Sequence, residues 1–154
     1  MTNVQTRILT RTRAESETER LARRVGALLR PGDIIALDGE LGAGKTRFVR
    51  GLLAGLGGTP RAVASPTFTL MNEYAGAPDR PTLLHIDAYR MTSLDELLTL
   101  GVDLHTLGDN VAAVEWADRL APELPDDRLG VLLEHTGEQE RAITLSWVED
   151  ASWT

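Results

Sequence analysis

Gly39-Glu40-Leu41-Gly42-Ala43-Gly44-Lys45-Thr46 is the stretch that decides the fold of this chain. It meets the phosphate-binding loop pattern of glycine, four free positions, glycine, lysine, and serine or threonine. Its flanks agree with that reading. Ile34-Ile35-Ala36-Leu37 reads as a buried strand, and residues 47–56 set Phe48, Leu52, Leu53 and Leu56 on one face of a helix. A loop between a strand and a helix turns successive backbone N–H groups toward one centre. It adds the positive end of the helix, which suits a polyphosphate. Gly42 and Gly44 let the backbone approach closely, the Lys45 ammonium is expected to reach the β and γ phosphates, and the Thr46 hydroxyl to ligate a bridging Mg²⁺. Lys45 is the only lysine in the chain, the other fifteen of its 16 cationic side chains being arginine. A planar guanidinium would fit the loop's small concavity poorly.

Composition narrows the classes. A chain of 154 residues is the length of one domain, 1–154, and buries roughly two thirds of its unfolded surface. Fractions of 42% hydrophobic and 25% charged residues are those of a soluble globular protein. No apolar run approaches the roughly 18 residues of a membrane helix, and Met1-Thr2-Asn3-Val4-Gln5 is not the charged start of a signal peptide. A cytoplasmic protein with no membrane partner is expected. The absence of cysteine excludes a disulfide scaffold and a thiolate zinc site. With 16 cationic against 23 acidic residues, net charge −7, the chain is a poor candidate for unaided nucleic-acid binding. If RNA is involved, a partner should hold it. Arg7, Arg11, Arg13, Arg20, Arg23 and Arg24, interleaved with Glu15, Glu17 and Glu19, read as a solvated helix face.

Residues 4–10 alternate weakly, as an edge strand would. Ser16-Glu17-Thr18-Glu19 fits a capping box that opens a helix carrying Leu21, Val25, Leu28 and Leu29, stopped by Arg30-Pro31-Gly32. Ser65-Pro66-Thr67-Phe68 leads into a strand over 69–74, residues 75–81 form a polar turn, and Leu83-Leu84-His85-Ile86-Asp87 is a further strand. Ser93-Leu94-Asp95-Glu96 is a second capping box for a short helix ending before Gly101, and Val111-Ala112-Ala113-Val114-Glu115 is a third apolar run. Residues 129–133 and 143–148 around Thr136-Gly137-Glu138-Gln139 read as a hairpin with Ile143, Leu145 and Trp147 on one face. Strands alternating with helices, then a hairpin, imply an α/β fold whose sheet is mainly parallel with antiparallel additions.

In such sheets ligands sit beyond the carboxyl ends of the strands. Asp87 and Glu115 each close an apolar run, so if both strands flank the one entering the loop, both carboxylates face the phosphates and metal. Hydrolysis needs an acid in the metal shell and a group that orients water, and either residue could serve. His85 lies on the strand face of Asp87 and could orient it, or be a core histidine satisfied by backbone. Pro66 holds Ser65 extended, so Ser65-Pro66-Thr67 is either a structural turn or a segment sensing the γ phosphate. Trp116 is a core aromatic or a shield over the site. Arg90 and Arg119 either contact phosphate or pair with surface acids.

Taken in order, Gly-Glu-Leu-Gly-Ala-Gly-Lys-Thr at 39–46, Ser-Pro-Thr-Phe at 65–68, His-Ile-Asp-Ala-Tyr-Arg at 85–90 and Glu-Trp at 115–116 resemble the bacterial TsaE (YjeE) family. Members are ATPase subunits of the system that makes threonylcarbamoyladenosine at position 37 of tRNAs reading codons that start with A. The resemblance implies a P-loop NTPase-like three-layer fold and a small cytoplasmic ATPase that binds Mg-ATP and joins the TsaB and TsaD proteins. Its nucleotide cycle supports repeated threonylcarbamoyl transfer by TsaD, and it meets tRNA indirectly through that complex. By similarity, Leu41, Gly42, Ala43, Gly44, Lys45 and Thr46 bind the phosphates. Thr46 and Glu115 hold Mg²⁺, Asp87 is needed for hydrolysis, Trp116 supports it, and Ser65-Pro66-Thr67 matches a switch-like segment. Glu40 stands where many members have Asp, which leaves the N–H cradle intact. The adenine pocket is expected around residues 12–18.

Two other readings compete. A P-loop kinase of a small metabolite usually closes an arginine-bearing lid, and no clustered-arginine insertion follows Glu115. A nucleotide-gated interaction module with incidental hydrolysis is the non-enzyme reading. A GTPase is disfavoured, since its Asn-Lys-x-Asp would need a second lysine.

Overall fold

The computed structural model describes residues 5–66 and 68–148. In chain order it contains β1 (Gln5–Thr12), α1 (Glu15–Ala27), β2 (Ile34–Gly39), α2 (Lys45–Gly55), β3 (Met71–Tyr74), β4 (Thr82–Asp87), α3 (Asp95–Leu98), β5 (Asn110–Glu115), β6 (Leu129–His135) and β7 (Arg141–Val148), with 3₁₀ segments at Pro60–Ala62 and Ala117–Glu123. The strands form one seven-stranded sheet in the order β1-β7-β6-β2-β5-β4-β3. Its inner strands β6, β2, β5 and β4 are mutually parallel, while β7, β1 and β3 add antiparallel. The mixed α/β sheet and the closing β6–β7 hairpin are therefore as the sequence pattern implies. Val4 and Thr67 lie outside the described residues.

Ile34, Ile35, Ala36 and Leu37 are at most 4% exposed because β2 is covered on both faces. Ile35 and Leu37 join Phe48, Leu52, Leu53 and Leu56 of the helical layer, while Ile34 and Ala36 join Ile86, Leu97, Val114 and Leu120 on the other face. Burying each large side chain contributes about 1.5–3 kcal/mol, which fixes β2 at the centre. On β7, Ile143 is buried in the helical-side core, and Leu145 and Trp147 pack against it. No helix among the described residues is long and apolar enough to cross a membrane.

Four local expectations are corrected. Helix α1 starts at Glu15 with Ala14 at its N-cap, so Ser16 does not cap it. Glu17 instead reaches back to the Arg13 N–H at 2.8 Å, and the Thr18 hydroxyl turns inward to Thr12 at 2.7 Å. The exposed Leu28 follows the end of α1, so its helical spacing carries no packing. Strand β3 begins at Met71 rather than residue 69, because residues 68–70 turn with Leu70 at φ 65°. The second capping box does not form as expected either: α3 takes Leu94 as its N-cap, with Ser93 one residue before it, where Ser93 Oγ accepts the Asp95 N–H at 3.1 Å and Glu96 accepts the Thr92 N–H at 2.9 Å.

Helices α1 and α2 pack backbone against backbone. A Cβ at Gly51 would stand 2.4 Å from Ala22 Cβ, and one at Gly55 would stand 2.2 Å from the Arg23 carbonyl oxygen. Only glycine permits that approach, and it lets the second half of α2 lie against α1. Gly55→Val is expected to push the helices apart and cost about 1–3 kcal/mol by overpacking. Urea denaturation reads it, and an unchanged midpoint would refute the close-packing account.

Candidate functional site

The loop between β2 and α2 has the shape its glycines permit. Gly42 and Gly44 have φ of 80° and 107°, a region side chains avoid, and no heavy atom outside the loop lies within 4 Å of a Cβ built at either. The concavity is therefore open where an anion would sit. At its base Lys45 is 5% exposed, and its Nζ donates to the Gly39 carbonyl and, at 3.0 Å, to the Glu40 carbonyl. The same ammonium lies 3.9 Å from the centroid of the Trp116 ring. Burial pushes the Lys45 pKa below its ordinary value, against the opposing pull of Glu115, Asp38, Asp87 and Asp118. No described carboxylate forms an ion pair with it. A desolvated cation held by neutral carbonyls has favourable energy to gain from a polyphosphate.

Glu115 ends β5, the strand beside β2, with its carboxylate only 5% exposed. Thr46 Oγ1 donates to it at 3.0 Å, so the first turn of α2 is tied to the tip of β5. His85, fully buried on β4, contacts Glu115 through Nε2, and its Nδ1 has no hydrogen-bond partner among the described residues. His85 thus positions Glu115 and not Asp87. The register explains why: His85 pairs with Ala113, which makes Glu115 its diagonal neighbour on one face. The flanking assumption for Asp87 is also corrected, since β4 lies one strand beyond β5 and β6 takes the other side of β2. Asp87 still reaches the site, because it pairs directly with Glu115 in register and lines the same cavity. Its Oδ1 accepts the Tyr89 N–H at 2.9 Å.

Trp116 adopts φ 58°, uncommon for a bulky side chain, and its ring rests on Lys45 and 4.9 Å from the Tyr89 ring. It covers the site and is not an ordinary core aromatic. Neither Arg90 nor Arg119 pairs with a described acid. Arg119 stands 4.7 Å over Tyr89, and Arg90, 6.0 Å from the Phe68 ring, lines the cavity. That cavity measures about 610 Å³ and brings residues 41–46 together with Asp87, Glu115 and Trp116. Ser65 reaches its wall, as do Glu15 and Thr18 from the segment expected to hold adenine.

Several lining groups carry no sequence signal. Arg141, the first residue of β7 and 7% exposed, donates through Nε to the Ala43 carbonyl at 2.8 Å and through Nη2 to Gly42 at 3.4 Å. Its Nη1 donates to the carbonyls of Gly137, Glu138 and Glu140 at 3.3, 3.2 and 2.9 Å, so it fastens the glycine-rich loop to the hairpin turn. The two ends are 98 residues apart in sequence. Arg47 reaches Glu15 at 3.2 Å and Glu19 at 3.0 Å. Asp38, next to the loop, accepts the Asp118 N–H at 2.9 Å. Its pKa is raised to about 6, first by burial and also by the nearby Asp118 carboxyl, against the bond from the Asp118 N–H.

Comparison with known proteins gives a consistent result. A family model described as "Threonylcarbamoyl adenosine biosynthesis protein TsaE" matches residues 12–143. A Bacillus subtilis protein named "tRNA threonylcarbamoyladenosine biosynthesis protein TsaE" is 43% identical over 138 residues, covering 90% of this chain and 84% of its own. A Streptomyces coelicolor protein of the same name is 43% identical over 131 residues, covering 82% and 87%. The crystal structure of Bacillus subtilis YdiB superposes with TM-score 0.74 at 34% identity over 97% of this chain and 90% of that one.

Two outcomes follow from the geometry. Because Asp38 binds its proton more tightly folded than unfolded, its contribution to stability falls as pH rises from about 4 through about 6. Asp38→Asn should remove that part of the slope in chemical denaturation across this window; an identical slope would contradict it. Arg141→Met strands buried loop carbonyls and should cost about 1–3 kcal/mol. Arg141→Lys should recover little, since one ammonium cannot span both groups of carbonyls. Full recovery by lysine in denaturation would show that charge alone matters there.

Proposed function

The chain belongs to the TsaE family of threonylcarbamoyl adenosine biosynthesis proteins, and from that premise we propose that it is the ATP-binding and ATP-hydrolysing subunit of the system. In this reading it is a single P-loop NTPase-like domain of three layers. It works in the cytoplasm with the TsaB and TsaD proteins and meets tRNA indirectly, through the complex. The observation that carries the reading is Lys45: a buried ammonium whose hydrogen-bond partners among the described residues are two carbonyls, at the base of a loop left open beside Gly42 and Gly44.

The donor set fits Mg-ATP. Residues 41–46 would receive the phosphate oxygens, with Lys45 exchanging its carbonyl partners for them. The Thr46 hydroxyl and the Glu115 carboxylate, already 3.0 Å apart, would hold Mg²⁺; the ion keeps several waters and needs only one or two protein ligands. When bound it neutralises charge on the β and γ phosphates. His85 fixes the Glu115 carboxylate through Nε2. Asp87, on the neighbouring strand tip and lining the same cavity, would accept a hydrogen bond from the water that attacks the γ phosphate. Trp116 shields Lys45 from solvent, which strengthens its attraction for the transferring group. Ser65 on the cavity wall supports a part for its segment in sensing the γ phosphate. A kinase reading has less support, because the described stretch after Glu115 folds as a short 3₁₀ segment carrying Arg119.

Phosphate release from Mg-ATP, by the chain alone and then with TsaB and TsaD, tests the reading. Slow turnover that accelerates with partners is expected. Phosphate found on a small acceptor would favour the kinase, and negligible turnover with partners would favour a nucleotide-gated module. Lys45→Ala should weaken nucleotide binding by about tenfold or more. Asp87→Ala and Glu115→Ala should retain more of the binding yet lose hydrolysis by about 100-fold, since charge at the metal matters most in the transition state. Titration calorimetry and phosphate release separate these, and unchanged turnover in the acid variants would remove their assignments.

A further inference from the structure

The short stretch that brings Ser65 to the cavity is held by side chains of β3. Val63, before it, is 3% exposed, and Pro66, after it, is buried, while Ala64 and Ser65 between them are exposed. With both flanks anchored, the soft backbone torsions at Ala64 decide where Ser65 points. Those torsions are clamped. The Tyr74 hydroxyl accepts the Ala64 N–H at 3.0 Å and donates to the Ala64 carbonyl at 3.2 Å, and Asn72 Nδ2 donates to that carbonyl and to the Tyr74 oxygen, each at 3.2 Å. Asn72 is itself oriented by the Thr69 hydroxyl, which donates to its Oδ1 at 3.2 Å. Two side chains thus stand where a neighbouring strand would. Because Ala64 is exposed, water could satisfy the same groups, so these bonds add little stability and what they fix is direction.

The same two residues reach the other side of the site. Asn72 pairs with His85 across β3 and β4, which puts Asn72, Tyr74 and His85 on one face of the sheet. The Tyr74 ring lies 6.2 Å from the His85 ring, tilted by 39°. His85 in turn contacts Glu115, which accepts the Thr46 hydroxyl. Farther along the chain, the Leu70 carbonyl accepts the Asp87 N–H at 2.9 Å. A row of side chains therefore crosses three adjacent strands, from the backbone before Ser65 to the carboxylate that would hold Mg²⁺. We propose that Tyr74, with Asn72, is a positioning residue for ATP hydrolysis: its hydroxyl sets Ser65 against the γ phosphate while its ring backs the histidine behind Glu115. The inference rests on the ATP-hydrolysing reading above and deepens it. Residues 41–46 supply most of the nucleotide affinity in that reading, so a slackened clamp costs turnover and not binding.

The test measures phosphate release from Mg-ATP with TsaB and TsaD present, for the full chain and its variants. Y74F removes the hydroxyl and keeps the ring; kcat should fall about tenfold, with KM within about twofold and the thermal midpoint unchanged. N72D, which replaces the donor to the Ala64 carbonyl with an acceptor, should behave alike. E73Q, on the opposite face of β3, should match the unaltered chain. S65A should also lose kcat, and Y74F/S65A should lose no more than the worse single variant, because the clamp acts through Ser65. Unchanged kcat in Y74F, multiplied losses in the double variant or an equal loss in E73Q would overturn the proposal. So would a lowered midpoint with kcat intact, which would leave the clamp as a loop anchor only. If the unaltered chain releases no phosphate with its partners, the hydrolysing reading falls and this one with it; normal release with an unaffected Y74F removes the positioning role alone.

Discussion

The Lys45 ammonium, taken out of water and left with neutral carbonyl partners, is the constraint around which the molecule is arranged. Removing a cation from water is costly, and here the cost is met only in part by two carbonyl oxygens, a tryptophan face and the field of Glu115, Asp38, Asp87 and Asp118. The fold holds this charge in place instead of relaxing it. Gly42 and Gly44 keep the loop in a conformation other residues resist, Arg141 fastens the loop's carbonyls to the hairpin, and Thr46 binds α2 to the end of β5.

These local devices depend on the order of the strands. With β5 beside β2 and β4 next to β5, the tips carrying Glu115 and Asp87 lie in register at the end of the sheet where the loop begins. The hairpin β6–β7 completes the other side, so that a residue near the end of the chain braces a loop near its beginning. The glycines at 51 and 55 let α1 lie against α2, and that same contact forms one side of an arginine-lined groove beside the loop cavity.

Particular residues show why some of this was legible and some was not. The strand, loop and helix from Ile34 to Leu56 were readable because each part has a local cause: burial on both faces, backbone freedom at glycine, and apolar spacing along a helix. Ser16 misled, because a capping pattern is short and the helix found an earlier start at Ala14 once Thr18 was drawn inward to Thr12. His85 was placed on the correct face, yet its partner depended on which strand lay next to β4, and alternation along one strand says nothing about its neighbour. Arg141 carried no signal at all, since an arginine opening a strand looks like any solvated cation until the chain closes around it.

The sequence by itself determined the glycine-rich loop, the central strand and helix, the mixed α/β class and the two acids that end apolar runs, because these follow from rules that act within a dozen residues. Tertiary structure decided that β5 rather than β4 adjoins the loop strand, that His85 serves Glu115, that Trp116 lies over Lys45, and that Arg141 lines the site while Asp38 acts on Lys45 from beside it. Each of those depends on strand order, register or contacts between segments far apart in the chain. Such contacts are selected by the packing free energy of the whole sheet, which no short stretch of residues contains.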